Sequence, residues 1–288
     1  MIINITKAAV AIFVFTLIGC FCAGYTANST PEDTAVAPTV CRPELSTPAV
    51  EQVIDQTTTT NPTEPIILIS EPLLFNNITY KTFYDIVQCD NFIVDINKYI
   101  QELEHAIKSE EYTKEAADTM QAEQTRLLGI TKKVEADITK YTTWEQEYYY
   151  AAKTFLFLKQ CGYNDVVACA IIGNMMIETS GGSLALNPTI YDPPRAYYGL
   201  CQWSVYYKPF MADKTFEEQL EYLRTDIKSE FSMFSFCYAS GFSYDKFLAM
   251  EDPAEAALAF AKVYERCGSG SYGLRKQAAV KAYNYFCS

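Results

Sequence analysis

The sequence predicts a mainly α-helical protein, on three observations. Apolar residues recur at heptad spacing over residues 82–141. A second apolar stretch, ending at Gly181-Gly182, has the three- and four-residue spacing of one helical face. Between residues 25 and 161 the chain has a single glycine, Gly129, and long helices are expected there because glycine weakens a helix interior.

Residues 1–24 are predicted to be an export signal. Lys7 precedes an apolar run from Ala8 to Cys22, which is too short to span a bilayer as a helix. Two routes stay open: cleavage near Cys22-Ala23-Gly24, or lipidation of Cys20, since Leu17-Ile18-Gly19-Cys20 resembles a bacterial lipobox. Either route predicts an exported protein, secreted or lipid-anchored at the cell surface, that meets a membrane only through its signal or its lipid.

Residues 25–80 are predicted to be a Thr- and Pro-rich linker. Seven of the twelve prolines of the chain fall here, with no sustained apolar period, which is typical of an extended segment. The apolar stretch 66–69 stands out, and we expect it to form a short strand or to dock elsewhere.

Residues 81–142 are predicted to form a helical hairpin or coiled coil. The first helix carries one heptad series with a second interleaved: Ile86, Ile93, Ile100 and Ile107, with Cys89, Ile96 and Leu103. The second helix carries a weaker apolar series: Met120, Leu127, Ile130, Val134, Ile138 and Tyr141. Ser109-Glu110-Glu111 is the expected turn, and the hairpin is a candidate surface for a protein partner.

Glu178 is the first candidate catalytic residue. It ends an apolar helix whose face includes Asn174 and Val167, with Asn164 or Asp165 available as the N-cap. Removal from water and the negative end of the helix dipole both raise the pKa of a carboxyl group. A carboxylic acid that keeps its proton near neutral pH is what a general acid requires. The alternative is a glutamate that simply reaches solvent.

Four sequence blocks follow one another in the second half of the chain. They are Asn174-Met175-Met176-Ile177-Glu178, Gly199-Leu200-Cys201-Gln202-Trp203, Gln219 to Leu223, and Phe260 to Arg266. In this order they resemble the phage tail lysozyme family, which is itself similar to goose-type lysozymes and soluble lytic transglycosylases. The resemblance implies a lysozyme-like helical catalytic domain over residues 144–288 that cleaves the glycan strands of peptidoglycan.

The resemblance also implies roles for individual residues. Glu178 matches the catalytic acid, and Gln202 and Tyr264 match residues that orient the sugar. Tyr198 and Trp203 are expected to form an aromatic wall of the substrate groove.

Asp192 decides between two reactions. An inverting hydrolase needs a second carboxylate to activate water, and Asp192 is the only acidic residue between Glu178 and Gly199. The sequence Tyr191-Asp192-Pro193-Pro194 equally fits a structural turn. Without a second carboxylate, the 6-hydroxyl group of the sugar closes on the anomeric carbon, as in lytic transglycosylases, and we expect this 1,6-anhydro product.

A non-enzymatic function is the alternative. The domain is then a binding or structural module of a cell-envelope or secretion complex, with the hairpin as its working part. Such a module binds cell walls without releasing soluble fragments.

Charge and composition exclude several functions. A net charge of −12 disfavours nucleic acid as a partner. The single histidine, His105, and the lack of a Cys-x-x-C motif argue against a metal site, so we expect no metal and no cofactor.

The ten cysteines of an exported chain predict disulfide bonds. Six lie in the catalytic half: Cys161, Cys169, Cys201, Cys237, Cys267 and Cys287. Their pairing stays open, and Cys41 and Cys89 are a further possible pair. Cys201 is expected to be a disulfide partner or a buried thiol rather than a nucleophile, because no histidine is near it in the sequence.

Overall fold

The computed structural model describes residues 67–288, and seven α-helices and a small sheet occupy this part of the chain. The export signal, Cys20, Cys41 and most of the predicted linker lie outside the described residues. The helices are α1 (Ile86–Lys108), α2 (Lys114–Gln160), α3 (Asp165–Ser180), α4 (Phe216–Phe234), α5 (Tyr244–Leu248), α6 (Pro253–Phe260) and α7 (Tyr272–Phe286). The strands are β1 (Tyr191–Asp192), β2 (Tyr197–Tyr198) and β3 (Trp203–Ser204). The mainly α fold predicted from the sequence is confirmed.

Helices α1 and α2 pack together as the predicted helical hairpin. Ile96, Ile100 and Leu103 of α1 are buried, as are Leu127 and Val134 of α2. The chain turns at residues 109–113, and the Thr113 side chain caps α2 by accepting a hydrogen bond from the Ala116 amide. The heptad series of the sequence is therefore the packing surface of the hairpin.

Residues 67–80, the end of the predicted linker, pack on this hairpin. Ile69 forms a parallel bridge with Tyr112 beside the turn. The Phe75 side chain is buried, and its amide donates to Glu123 Oε1 at 3.1 Å. Arg126 donates to the Phe75 carbonyl and pairs with Glu123, which lowers the pKa of Glu123. The buried phenylalanine and these backbone contacts explain why the segment does not behave as a linker.

Helix α2 runs through the boundary that the sequence predicts near residue 143. Trp144 is buried between the rings of Phe155 and Phe286, so this stretch carries core residues instead of a connecting loop. The one interruption is at Tyr148, whose backbone leaves the helical region with φ −143° and ψ 69°. The two parts of the chain meet at a kink within one helix.

Helix α3 lies at the centre of the lysozyme-like half and packs closely against α7 and α6. Most of its apolar residues are fully buried, including Val167, Ile171 and Met175. Gly173 allows the close contact with α7: a Cβ atom at this position would lie 2.4 Å from the Ala279 amide nitrogen. Asn164 caps the start of α3, and Gly181 ends it in the left-handed conformation with φ 61°, as the sequence predicts.

The three short strands form an antiparallel sheet in the order β1-β2-β3. Gly199 follows β2 with φ 77°, and a Cβ atom there would collide with the side chain of Gln219. The Gln219 side chain accepts a hydrogen bond at Oε1 from the backbone amide of Leu200 at 2.9 Å. Its Nε2 donates a hydrogen bond to the Pro188 carbonyl at 2.8 Å. Gln219, near the start of α4, thus holds the loop around the sheet in place.

The seven cysteines of residues 67–288 are all free, so the predicted disulfides are absent from the described part. Cys169 and Cys287 come closest to one, with sulfur atoms 3.8 Å apart. Among residues 67–288, no helix combines the length and apolar character that crossing a membrane requires.

Candidate active site

A cleft of about 780 Å³ opens between the end of α3, the β2–β3 loop, α4 and the segment that follows α6. Its charged and aromatic lining residues include Glu178, Glu265, Arg275, Tyr197, Trp203, Tyr207, Lys208, Glu230, Tyr264 and Arg266. Three of the four sequence blocks contribute residues to this lining. The third block, Gln219 to Leu223, contributes no lining residue, but its Gln219 holds the loop around the sheet in place.

Glu178 lies at the end of α3 with its side chain 18 % exposed to the cleft. Its carboxylate pairs with the guanidinium group of Arg275, a residue of α7 that is only 4 % exposed. The same guanidinium donates to Asn174 Oδ1 at 2.9 Å and to Ser271 Oγ at 3.1 Å. Glu178 therefore faces a fixed positive charge that the sequence pattern did not reveal.

The contacts of Asn174 explain why an amide side chain is found four residues before Glu178 on an otherwise apolar helix. It is fully buried, and its Nδ2 donates to the carbonyl groups of Ala170 and Ala257. These bonds leave Oδ1 directed at Arg275. Asn174 thus orients the arginine that contacts Glu178.

Glu265 is a second carboxyl group of the cleft. It belongs to a single π-helical turn, Ala261–Glu265, which ends at Arg266 in the left-handed conformation with φ 48°. Such wide turns often occur at functional sites, where they redirect side chains. The Oε1 atom of Glu265 is buried without a hydrogen-bond partner. Burial, reinforced by the charge of Glu178, raises the pKa of Glu265 well above its usual range.

Cys201 lies against Glu265 and is buried. Its burial and the neighbouring carboxyl groups raise the pKa of the thiol well above its ordinary value. A thiol that resists ionisation is a poor nucleophile. Its position is that of a buried thiol, one of the two structural roles expected from the sequence.

A chain of hydrogen bonds fixes the aromatic residues deep in the cleft. Trp203 Nε1 donates to the Tyr264 hydroxyl at 2.9 Å, and that hydroxyl donates to Asp226 Oδ2 at 2.9 Å. Lys208 contacts the same carboxylate oxygen at 2.7 Å and also pairs with Glu230. Trp203 and Tyr264 are both buried, so they form the rigid floor of the cleft and not an exposed wall.

Gln202 lines the cleft in the left-handed conformation, with φ 46°. Its Nε2 donates to the Gly199 carbonyl at 3.0 Å, so the side chain also holds its own loop together. The role of Gln202 in orienting the sugar stays a prediction, and the bond within the loop is a structural role of the same side chain.

Tyr198 does not line the cleft, whereas its neighbour Tyr197 does. Adjacent residues of a strand point to opposite faces, and the sequence did not show which tyrosine of β2 faces the site. Tyr207, which is 80 % exposed, also lines the cleft. Tyr197 and Tyr207 therefore replace Tyr198 as the accessible aromatic residues.

Asp192 also lies outside the cleft lining. It is on β1, its carboxylate contacts Arg195 at 3.4 Å, and its carbonyl accepts from the Arg195 amide. Asp192 therefore makes the contacts of a turn, and its role as the water-activating base stays a prediction. The carboxyl groups that join Glu178 in the cleft lining are Glu230 and Glu265, the latter next to Tyr264 in the fourth block.

The site lies within a segment that matches a known family model, phage tail lysozyme, over residues 149–286. This segment is therefore similar to the phage tail lysozyme family. No curated protein and no solved structure matches the chain. The matched segment begins directly after the kink at Tyr148, inside helix α2. The match to this family indicates a peptidoglycan-lytic enzyme in general terms.

Proposed function

We propose that the lysozyme domain cleaves the β-1,4 bond between N-acetylmuramic acid and N-acetylglucosamine in peptidoglycan, with Glu178 as the general acid. The observation that carries the proposal is the position of Glu178: it ends a buried helix, reaches the cleft and is held by Arg275. A general acid must lie within hydrogen-bond reach of the leaving oxygen, and a carboxyl group at the edge of a glycan-sized cleft meets that need.

The arrangement of the cleft supports binding of a glycan strand. Tyr197 and Tyr207 offer exposed rings, and Trp203 and Tyr264 form a floor that is locked by hydrogen bonds. Aromatic rings present apolar faces with polar edges, which suits the mixed surface of a sugar. Rigid support of the ring positions lowers the cost of ordering the site when substrate binds.

The reaction that we propose is lytic transglycosylation, which leaves a 1,6-anhydro end. A hydrolase would need an ionised carboxylate with access to water. Asp192 is outside the cleft lining, the Glu230 carboxylate is held by Lys208 and Arg266, and burial raises the pKa of Glu265 well above its usual range. The 6-hydroxyl group of the muramic acid residue is then the available nucleophile, and its proton returns the carboxyl group of Glu178 to the acid form.

We also propose that the protein is exported, as its first 24 residues predict. Peptidoglycan lies outside the cytoplasmic membrane, so an enzyme with this substrate must cross that membrane. Whether Cys20 carries a lipid or is removed with the signal determines whether the enzyme is anchored or secreted.

Glu178→Gln is expected to reduce lysis of purified peptidoglycan by a factor on the order of 10²–10⁴, because the amide cannot donate the proton to the leaving oxygen. Loss of turbidity of a wall suspension measures the rate. Glu251→Gln is the matched control, since Glu251 is exposed and does not line the cleft. A Glu178→Gln variant that keeps more than about a tenth of wild-type lysis contradicts the assignment. A wild type that binds walls but releases no soluble fragments supports the binding-module alternative.

The muropeptides released by the wild-type protein are expected to end in 1,6-anhydro muramic acid. Mass spectrometry distinguishes them, because each anhydro end is lighter by one water than a hydrolysed end. Asp192→Asn should leave the product distribution unchanged. Reducing ends as the main product, lost in Asp192→Asn, would instead restore Asp192 as the base.

A further inference from the structure

Two of the three carboxyl groups in the cleft lining, those of Glu178 and Glu265, face one guanidinium group. Arg275 pairs with Glu178, and its charge also acts on Glu265. The neighbouring cations have carboxylate partners of their own. Arg266 pairs with Glu230, and Lys208 pairs with Asp226 and Glu230.

Full ionisation of both carboxyl groups would leave an excess negative charge in this site. Arg275 is almost completely buried, and Glu265 Oε1 is buried without a partner. An uncompensated charge in such surroundings is strongly unfavourable, and two nearby carboxylates avoid it by retaining one proton between them. The other titratable groups that interact with Glu265 are the thiols of Cys201 and Cys267, the Tyr264 hydroxyl and Arg266. Neutral thiols and a neutral phenol compensate no charge, and Arg266 is paired with Glu230.

We propose that Glu178 and Glu265 share a single proton over Arg275, and that Glu265 is the positioning residue that keeps this proton available to Glu178. The inference rests on the proposed function of Glu178 as general acid. In the arrangement that the structure shows, Glu178 is paired with Arg275, and the proton lies on Glu265. The buried, unpartnered Oε1 of Glu265 is consistent with a neutral carboxyl group.

Catalysis requires the other arrangement. A glycan in the cleft covers the exposed part of Glu178 and removes water from it, which favours the neutral form of that group. The proton then passes from Glu265 to Glu178, and the charge of Arg275 compensates Glu265 instead. The total charge of the three groups is the same before and after the transfer. Without Glu265, the Arg275 charge acts on Glu178 alone and opposes its protonation.

The test measures titration directly and does not depend on activity. Carbon-13 labelling of glutamate carboxyl groups allows the titration of Glu178 and Glu265 to be followed by NMR in the full chain, with assignment from Glu178→Gln and Glu265→Gln. The proposal expects Glu265 in Glu178→Gln to lose its proton at a pH lower than in the wild type by about one unit or more, because the negative charge of Glu178 no longer opposes its ionisation. In Glu265→Gln only one carboxyl group of the pair remains, so the second titration step of the pair disappears. Unchanged titration of Glu265 in Glu178→Gln overturns the proposal.

Activity provides the second readout. In Glu265→Gln the alkaline limb of the pH–lysis profile is expected to shift to lower pH by about one unit or more, so that activity lost at neutral pH returns in acid. Glu265→Asp keeps a carboxyl group and should recover much of the wild-type profile. Glu251→Gln should retain the wild-type profile in full. A purely structural role of Glu265 predicts equal loss at every pH and no shift of the limb, which contradicts the proposal.

The two readouts separate the failure of this inference from the failure of the proposed function. If the wild type lyses no wall but the two titrations are coupled, the shared proton stands and the assigned reaction is wrong. If the wild type lyses walls through Glu178 and the titrations are independent, the reaction stands and the shared proton is wrong.

Discussion

At the scale of single residues, two adjacent and exposed tyrosines differ in whether they line the cleft. Tyr206 and Tyr207 are about equally exposed, at 81 % and 80 %, and their rings are in edge contact with centroids 5.1 Å apart. Only Tyr207 lines the cleft. Replacing each tyrosine in turn therefore separates the effect of a ring that contacts substrate from the effect of exposed apolar surface in general.

Tyr207→Ala is expected to raise the KM for peptidoglycan fragments about tenfold, equivalent to about 1.4 kcal/mol, because a ring face that covers the sugar is lost. The value of kcat should change less, since Tyr207 does not contact Glu178 in the structure. Steady-state kinetics on soluble glycan strands measures both constants. Tyr206→Ala is the matched control, and equal effects of the two substitutions would show that Tyr207 has no specific role in the cleft.

At the scale of elements, the contact between α3 and α7 depends on a glycine. A side chain at Gly173 would approach the backbone of Ala279, which belongs to a helix that cannot shift without disturbing Arg275. Gly129, on the exposed side of α2, has nothing within 4 Å of its missing Cβ atom. Alanine at Gly173 would therefore collide with α7, whereas alanine at Gly129 would meet no neighbouring atom.

Gly173→Ala is expected to lower the free energy of unfolding by about 1–3 kcal/mol, because overpacking outweighs the gain in helix propensity. Gly129→Ala is expected to raise it by about 0.5–1 kcal/mol, because only the propensity changes. Urea denaturation of both variants measures the difference. Equal stabilisation by the two substitutions would mean that α3 and α7 are not in the close contact described.

The elements also show what the sequence can and cannot predict. Helix α3 follows from its apolar face, its Asn164 cap and the terminal glycines, and the hairpin follows from its heptads, because both are local patterns. Arg275 lies 97 residues from Glu178 along the chain, so no local pattern joins them. The role of Glu265 depends on a π-helical turn, which has no periodic signal that sequence analysis detects.

The short strands explain the remaining differences between the site predicted from the sequence and the site in the structure. A two-residue strand is too short to show an alternation of apolar and polar residues, so the choice between Tyr197 and Tyr198 could not be made from the sequence. Asp192 was considered because it falls between two blocks, yet the turn to Arg195 holds it away from the cleft lining. The interpretation of this segment as a turn was available from Pro193-Pro194.

At the scale of the whole molecule, two thiols that are far apart in the sequence lie side by side in the second half of the chain. Cys169 lies near the start of α3 and Cys287 follows α7, 118 residues later, with their sulfur atoms 3.8 Å apart. The hydrogen bond from Cys169 lowers the pKa of the Cys287 thiol, which favours its reactive thiolate form. A small movement of either side chain would bring the sulfur atoms to bonding distance.

Oxidised glutathione is expected to join Cys169 and Cys287 in the folded protein and to raise the free energy of unfolding by about 2–4 kcal/mol, because a long loop is closed in the unfolded chain. Peptide mapping without reductant identifies the bond, and urea denaturation measures the gain. Cys287→Ser should abolish both effects. Recovery of both residues in alkylated form after oxidation would show that the two thiols do not react with each other.

The position of Trp203 at the floor of the cleft has a consequence for spectroscopy. The chain contains only two tryptophans, and Trp144 is enclosed by the rings of Tyr141, Phe155 and Phe286. Trp203 alone lines the cleft, and indole emission responds to the polarity around it. In a Trp144→Phe background, the fluorescence of the folded protein comes from the floor of the cleft, so the enzyme carries its own optical reporter of glycan binding.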